Sequence, residues 1–282
     1  GHQEMWRWQS LRDYVFPDIL TTRMLYPEKV VISGLEWNVP GHEHCSTGIV
    51  AEDASAISAF EFMFDASDDD TSREDEVTPY GTLTKQNDDH EDAVAAAAWM
   101  QAQKEAGLID DGYIVFAHIE RANSFTAADF RDFNNTGPDV CFGYEGAPGH
   151  QASGDRGFSR NADGGGTYGG SGWYSAEVGG LWDALLGEGR NWWNFASSDC
   201  HNHWTEGGSD FWPGEYQKNY AKIDAGAEYR EAAVVEGLRS GNSWHVEGDL
   251  IDQLYFTAKS GRNVAEMGET LTARPGRMGT IK

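Results

Sequence analysis

The spacing of hydrophobic residues predicts an alternation of buried strands and amphipathic helices. Short apolar runs rich in β-branched and aromatic residues are typical of strands buried on both faces. Four such runs occur, VVISGLEW (30–37), IVFAH (114–118), DVCFGYE (139–145) and WWNFASSD (192–199). Stretches with helical spacing lie between them, and this order favours an α/β fold with a parallel sheet covered by helices.

The helices are predicted from apolar stripes and from the residues that begin and end them. Thr126 and Asp129 have the spacing of a capping box, and Gly107 and Gly137 stand where helices end. The predicted helices cover the stripe Ile57, Phe60 and Phe64, residues 90–107, residues 126–137, and residues 177–189 with the stripe Val178, Leu181, Trp182 and Leu185.

The pattern changes after residue 243 to short strands without helices between them. We therefore expect one domain over residues 1–245 and a β-rich C-terminal segment over 246–282, which is an appendage or the start of a second domain. The glycine-rich segment 154–173 has no strand before it and no helix at its start, so it predicts a loop near a site rather than a dinucleotide site.

Composition favours a soluble globular protein. A chain of 282 residues with 39% hydrophobic residues can bury a sizeable core, and no apolar run reaches about 18 residues. The three cysteines are odd in number and far apart, which argues against a disulfide framework.

The charge balance excludes some partners. The chain has 46 acidic and 21 basic residues, only 7 of them lysine, for a formal net charge of −25. The negative electrostatic field of such a chain repels long nucleic acids and anionic membranes, so neither is expected as a partner. It favours a salt-adapted or marine source, with the acidic stretch 65–76 exposed; the alternative is simply an acidic surface. The compartment is not indicated, although secretion within a longer precursor fits this composition.

Residue types that ligate metals stand where the four predicted strands end. Glu36 closes the first run, His118 the second and Glu145 the third, while Asp199 and His201 close the fourth. Carboxyl ends of parallel strands meet at one edge of a sheet or barrel, so these side chains are expected to lie together. We therefore predict a metal cluster that includes Glu36, His118, Asp199 and His201.

The segment GHEHC offers His42 and His44, two residues apart. If it is extended, both imidazoles point to the same side, and one could reach the cluster. Simpler interpretations stand beside this one: Glu36 is a capping or salt-bridged acid, and residues 197–203 form a polar turn. Isolated histidines such as His90, His150 and His245 are expected to be surface or hydrogen-bonded residues.

Taken in order, these motifs resemble a known family. G-L-E-W (34–37) with H-E-H-C (42–45), A-H-I-E-R (117–121) and S-D-C-H (198–201) look like the polymerase and histidinol phosphatase (PHP) superfamily of metal-dependent phosphoesterases. The resemblance spans about residues 30–245. It implies a distorted (β/α)7 barrel similar to a TIM barrel.

The resemblance also implies roles for residues. Glu36 matches the glutamate that bridges two metals, and Arg121 matches an arginine that holds phosphate. The shell of one to three metals would comprise Glu36, His44, His118, Asp199 and His201, with His42 as the rival of His44. His42 and Glu145, together with His150 and His203, are candidates for acid–base or supporting roles.

Two motifs of the family are missing. Its H-x-H on the first strand and D-H on the second have no counterpart ahead of Glu36, because Gly1 replaces the aspartate before His2. Either the chain is a fragment of a longer protein that carries those ligands, or the site holds fewer metals.

The expected activity is hydrolysis of a small phosphate ester by metal-activated water. A mixed set of imidazoles and carboxylates suits Zn²⁺, Mn²⁺ or Fe²⁺ better than Mg²⁺ or Ca²⁺. Two alternatives remain open: a metal-dependent hydrolase or binding module for carbohydrate, with Trp173, Trp204 and Trp212 lining a cleft, and a non-catalytic metal-binding domain of a larger protein.

Overall fold

The structure of the chain is a computed structural model. It describes residues 5–117, 119–120, 125–147, 167–168, 171–201, 212–224, 226, 230–276 and 279–282.

The helices and strands alternate over most of the described chain. The α-helices are α1 (Arg7–Ser10), α2 (Phe16–Leu25), α3 (Ser55–Phe64), α4 (His90–Glu105), α5 (Ala127–Thr136), α6 (Trp173–Ala176), α7 (Leu181–Gly187) and α8 (Glu231–Arg239). The strands are β1 (Ser33–Asn38), β2 (His44–Val50), β3 (Val77–Thr78), β4 (Gly81–Thr82), β5 (Asp111–Phe116), β6 (Gly143–Ala147), β7 (Thr167–Tyr168), β8 (Ser171–Gly172), β9 (Trp193–Ala196), β10 (Gln217–Ala221), β11 (Ser243–Glu247), β12 (Thr257–Ser260), β13 (Asn263–Glu266) and β14 (Thr280–Ile281).

A five-stranded mixed sheet in the order β1-β2-β5-β6-β9 forms the centre. Strand β2 is antiparallel to β1 and to β5, whereas β5, β6 and β9 are parallel. The four predicted strands β1, β5, β6 and β9 are therefore confirmed and all run in the same direction. A wholly parallel sheet was the wrong expectation, because the short turn that joins β1 to β2 permits only an antiparallel pair.

The described part of the sheet is open, with β1 and β9 at its edges. No closed barrel is present among the described residues, so the (β/α)7 barrel stays a prediction. The mixed α/β class is confirmed.

Each face of the sheet has its own core. Helices α3, α4 and α5 cover one face around Trp37, Phe116 and Trp192. Helix α8 covers part of the opposite face, where Val235 packs near Phe195. The cavity described below lies on the part of this second face that no described helix covers.

The N-terminal helical segment was not predicted from the hydrophobic pattern. A π-helical turn (Leu11–Val15) joins α1 to α2, and Pro17 occupies the first turn of α2. Proline has no amide hydrogen to donate to the preceding turn, which suits a widened turn at this point. Trp8 and Leu11 anchor the segment in the core.

Helices α3, α4 and α5 match their predictions, and the capping box of Thr126 and Asp129 is present. Helix α7 begins at Leu181, later than expected. The stripe that included Val178 is wrong at that residue, which is 94% exposed. The helix cannot extend back to Val178, because Gly179 has a φ of +76°.

The acidic stretch 65–76 is not uniformly exposed, contrary to expectation. Asp65, Asp68 and Asp70 are buried, and each accepts a hydrogen bond from the backbone amide two residues ahead. Such turns use the carboxylates to hold the loop backbone. Asp69 is exposed.

The C-terminal segment consists of short strands, as predicted. Strands β12, β13 and β14 form a small antiparallel sheet. The proposed division at residue 245 stays a prediction. No helix in the described part of the chain has the length and apolar character needed to cross a membrane.

Candidate metal centre

A cavity of about 560 Å³ opens at the carboxyl ends of β1, β5, β6 and β9. Alternation along the strands directs the side chains of Glu36 and Tyr113 into it, while their neighbours Trp37 and Ile114 enter the core of the other face. The polar side chains that line it are those of Glu36, Ser46, Thr47, Tyr113, Glu145, Ser197, Ser198, Asp199, Cys200 and His201.

The hairpin of β1 and β2 supplies the first side of the site. Nδ1 of His44 lies 3.1 Å from Oε1 of Glu36. Arg7 fixes the strand from outside, since its Nη1 donates to the carbonyl oxygen of Glu36 at 3.1 Å and to Oδ2 of Asp65 at 2.8 Å. The carboxylate of Glu36 is thus held on an anchored strand at the sheet edge.

The segment after β9 supplies the other side. Asp199 has a φ of +44°, a conformation that non-glycine residues rarely adopt. Its carboxylate is 8% exposed, and His201 lies beside it, with Nδ1 2.9 Å from the carbonyl oxygen of Asp199 and 3.5 Å from Oδ1. Backbone strain of this kind persists where the surroundings hold it, and it is frequent at ligand-binding sites.

Glu36, Asp199 and His201 each place one ligand atom within 4.8 Å of the other two. A flat five-stranded sheet would separate its edge strands by roughly 19 Å, so this approach across the sheet is not a consequence of strand pairing. Two carboxylates and one imidazole in this arrangement could hold a divalent transition metal, and His44 lies next to Glu36 without belonging to the group of three.

Glu145 lies on the interior strand β6 and lines the same cavity. Its side chain is 3% exposed. The register between β6 and β9 shifts between Glu145 and Ala147, and such irregularities often redirect side chains beside active sites. The structure therefore brings Glu145 into the site, as the sequence predicted.

Tyr113 and Ser46 were missed in the sequence analysis. Burial raises the pKa of Tyr113, although a hydrogen bond with Ser46 opposes this, so the phenol stays protonated at neutral pH. A Cβ at Gly48 would lie 2.5 Å from the ring of Tyr113, so only glycine leaves room for it. The alternation of β5 could have indicated that Tyr113 faces the same side as Glu36.

His42 does not lie in this site. It stands in the turn before β2, where its amide donates to the carbonyl oxygen of Val39 and Gly41 has a φ of +74°. The extended backbone that would send His42 and His44 to the same side is not formed at His42, because the strand begins at His44. His42 instead stacks on Phe125 among the helices.

Several predicted residues lie outside the part of the chain that the structure describes. These are His118, Arg121, His150 and His203, with Trp204 and residues 154–166 and 169–170 of the glycine-rich segment. Among the described residues that line the cavity, none is lysine or arginine, whereas Glu36, Glu145 and Asp199 are acidic. An anion could therefore bind these described walls only with a cation present.

No protein-family model, no curated protein and no solved structure matches this chain.

Proposed function

We propose that this protein is a metal-dependent hydrolase, and specifically a phosphoesterase that cleaves a small phosphate ester with metal-activated water. The observation that carries the proposal is the convergence of Glu36, Asp199 and His201 within 4.8 Å at the mouth of the cavity. The order of motifs that resembles the PHP superfamily supports the same reaction class.

The residues present fit a divalent transition metal such as Zn²⁺, Mn²⁺ or Fe²⁺. Glu36, Asp199 and His201 would hold it, with His44 and the predicted ligand His118 completing the shell. When bound, such ions lower the pKa of a coordinated water to about 7 and neutralise charge on the phosphoryl group.

The chain's own groups orient the reaction. His44 holds the carboxylate of Glu36 by its Nδ1, and the strained backbone at Asp199 presents that carboxylate to the cavity. The protonated phenol of Tyr113 can donate a hydrogen bond to an oxygen of the substrate or to the leaving group. Arg121 is proposed to hold a phosphate oxygen.

The cavity favours a small substrate. A volume of about 560 Å³ accommodates a small molecule rather than a polymer, and the net charge of −25 repels long nucleic acids. A phosphate ester would reach these acidic walls only after the metals have neutralised them.

The proposal is tested by phosphate release from a panel of small phosphate esters, measured with added Mn²⁺ or Zn²⁺ and with a chelator. We expect turnover that requires metal. The variants Asp199→Ala and His118→Ala are expected to lower turnover by at least 100-fold and to lower bound metal, measured by elemental analysis.

His245→Ala is the matched control, because His245 lies on β11 and not among the proposed ligands. It should keep both metal and turnover. Metal-free protein after reconstitution, or an Asp199→Ala variant with unchanged metal content, would contradict the assignment. Metal binding without release of phosphate from any ester would overturn the phosphoesterase proposal and leave the metal centre standing.

A further inference from the structure

A second group of metal-ligating side chains lies away from the cavity. Three elements meet there: the turn between β1 and β2, the first residue of α4, and the first turn of α5. They bring together His42, His90 and Asp129. The group lies on the helix-covered face, since His42 stacks on Phe125, a residue of that core.

The distances are short for three residues from separate elements. Nε2 of His42 lies 2.8 Å from Nδ1 of His90, and Nδ1 of His90 lies 3.9 Å from Oδ1 of Asp129. One ligand atom from each residue lies within 4.8 Å of the others. Ligands bound to one tetrahedral ion at about 2.0 Å lie roughly 3.3 Å apart, so an ion fits after the separations change by at most about 1.5 Å.

The surroundings hold each ligand in position. The ring of His42 is stacked on Phe125, with 4.8 Å between centroids and 8° between planes. Oδ2 of Asp129 accepts the backbone amide of Thr126 at 2.6 Å, so the capping box turns Oδ1 toward the imidazoles. Each constraint comes from the fold and not from the cluster itself.

Close packing brings the turn to the helix. Gly41 adopts a φ of +74°, and a Cβ there would lie 3.2 Å from the backbone nitrogen of His90. Glycine is therefore needed both for the turn and for its approach to α4. The contact sets the distance between His42 and His90.

A supporting carboxylate completes the arrangement. Nε2 of His90 lies 3.4 Å from Oδ2 of Asp132, on the side of the ring opposite the cluster. Metal-binding histidines commonly donate their second ring N–H to a carboxylate, which fixes the tautomer and the ring orientation. Asp132 is positioned for that role if Nδ1 of His90 binds the ion.

We propose that His42, His90 and Asp129 form a second divalent transition-metal site, with water as the fourth ligand. Two imidazoles and one carboxylate suit Zn²⁺ and similar ions. For both nitrogens to coordinate, the proton between them leaves that position, and its imidazole takes the tautomer protonated on the other ring nitrogen. The site needs no residue of the cavity, so it stands or falls independently of the proposed hydrolase function.

The ion would act structurally. It joins the β1–β2 turn to the first turns of two helices, and His44 follows His42 by two residues. Binding would thus stabilise the turn that leads into the hairpin carrying Glu36 and His44. Metal binding of this kind adds to folding stability.

Titration with Co²⁺ in a Glu36→Gln/Asp199→Asn background tests the proposal, because both proposed carboxylate ligands of the cavity are then neutralised. We expect one equivalent of Co²⁺ with the visible absorption of a four-coordinate ion. His42→Gln should abolish that absorption, and Asp132→Asn should weaken binding by 10- to 100-fold. His245→Gln is the matched control and should change nothing.

The same substitutions in the wild-type background guard against a misfolded double variant. There, His42→Gln should lower bound metal by one equivalent and remove part of the rise in melting temperature that Zn²⁺ produces over a chelator. The proposal is overturned if the background variant folds but binds no Co²⁺. It is also overturned if His42→Gln and His90→Gln both retain the full metal content.

Discussion

Glu61 on α3, beside the carboxyl group of Asp68, predicts that the stability of the protein depends on pH. Its side chain is 1% exposed. Burial, and then the charges of Asp68 and Asp65, raise the pKa of Glu61 to about 8 from an ordinary value of 4.5. A raised pKa means that the stabilisation is complete below pH 4.5 and is lost as the pH rises through 8.

The free energy of unfolding should therefore fall between pH 5 and pH 8, by up to about 1.4 kcal/mol for each pH unit that Glu61 governs. Glu61→Gln keeps the shape and stays neutral, so it should remove this slope. Denaturant unfolding at pH 5, 6.5 and 8 measures it. The control Glu28→Gln, at an exposed position, should keep the wild-type slope. Parallel curves for wild type and Glu61→Gln would refute the assignment.

At the residue scale, the sequence predicted which residues could bind a metal better than it predicted where their side chains lie. Strand direction predicts that β1 and β9 end at the same side of the sheet, but pairing alone does not bring Glu36, Asp199 and His201 within 4.8 Å of one another. The predicted direction of the His42 side chain differs from the structure because Pro40 and Gly41 form a turn, and a turn residue does not follow strand alternation. That Pro-Gly pair was visible in the sequence and would have separated His42 from His44.

The acidic loop after α3 gives a test at the scale of one element. Oδ2 of Asp70 accepts the indole N–H of Trp8 at 2.8 Å, and Oδ1 accepts the amide of Ser72. Asp70→Ala would leave the buried indole N–H without its acceptor, which costs about 1–3 kcal/mol. We expect that loss in the free energy of unfolding, measured by urea denaturation.

Asp69→Ala is the matched control, because Asp69 is adjacent and exposed. It should change stability by less than about 0.5 kcal/mol. Equal effects of the two substitutions would mean that the loop is a solvated run of charge, as its composition first indicated. Composition alone could not separate the two residues, because burial here depends on contacts with α1.

Elements were predicted best where local signals and burial agree. Strand β5 contains the apolar run of residues 114–116, and α5 carries both its capping box and its apolar face. Helix α2 was not predicted because it is largely exposed and has no clear apolar stripe. Strand β2 runs opposite to β1 because the turn that joins them is short. Hydrophobic periodicity does not indicate the length of that turn or the direction of the strand.

For the whole molecule, the net charge of −25 predicts that salt stabilises the fold. Raising the ionic strength from about 0.01 M to about 1 M shortens the screening length from roughly 30 Å to 3 Å, which weakens repulsion among the acids. The melting temperature, measured with metal at saturation, should rise over this range.

Neutralising exposed acids gives the comparison variant. Glu52, Asp69 and Asp110 are exposed, and their replacement by Gln, Asn and Asn should raise the melting temperature at low salt and matter little at high salt. A melting temperature that is flat or falls with NaCl in the wild type would show that the composition does not reflect adaptation to salt.

The overall architecture was predictable only as far as its class. Alternating strands and helices indicate an α/β molecule, and this is confirmed. Closure of a sheet depends on how its edge strands meet, and no periodicity within a single strand encodes that meeting. Strands β1 and β9 remain edges in the described part of the chain.

Glu36 and Asp199 are neighbours in space but stand about 160 residues apart along the chain. An ion bound to both would be a reversible cross-link that closes a very long loop. Because the ion dissociates when the chain unfolds, its stabilisation is set by binding to the folded state and reaches about 2.7 kcal/mol at a free ion concentration 100 times the dissociation constant. It would also link the two edges of the described open sheet, which hydrogen bonds between strands do not join.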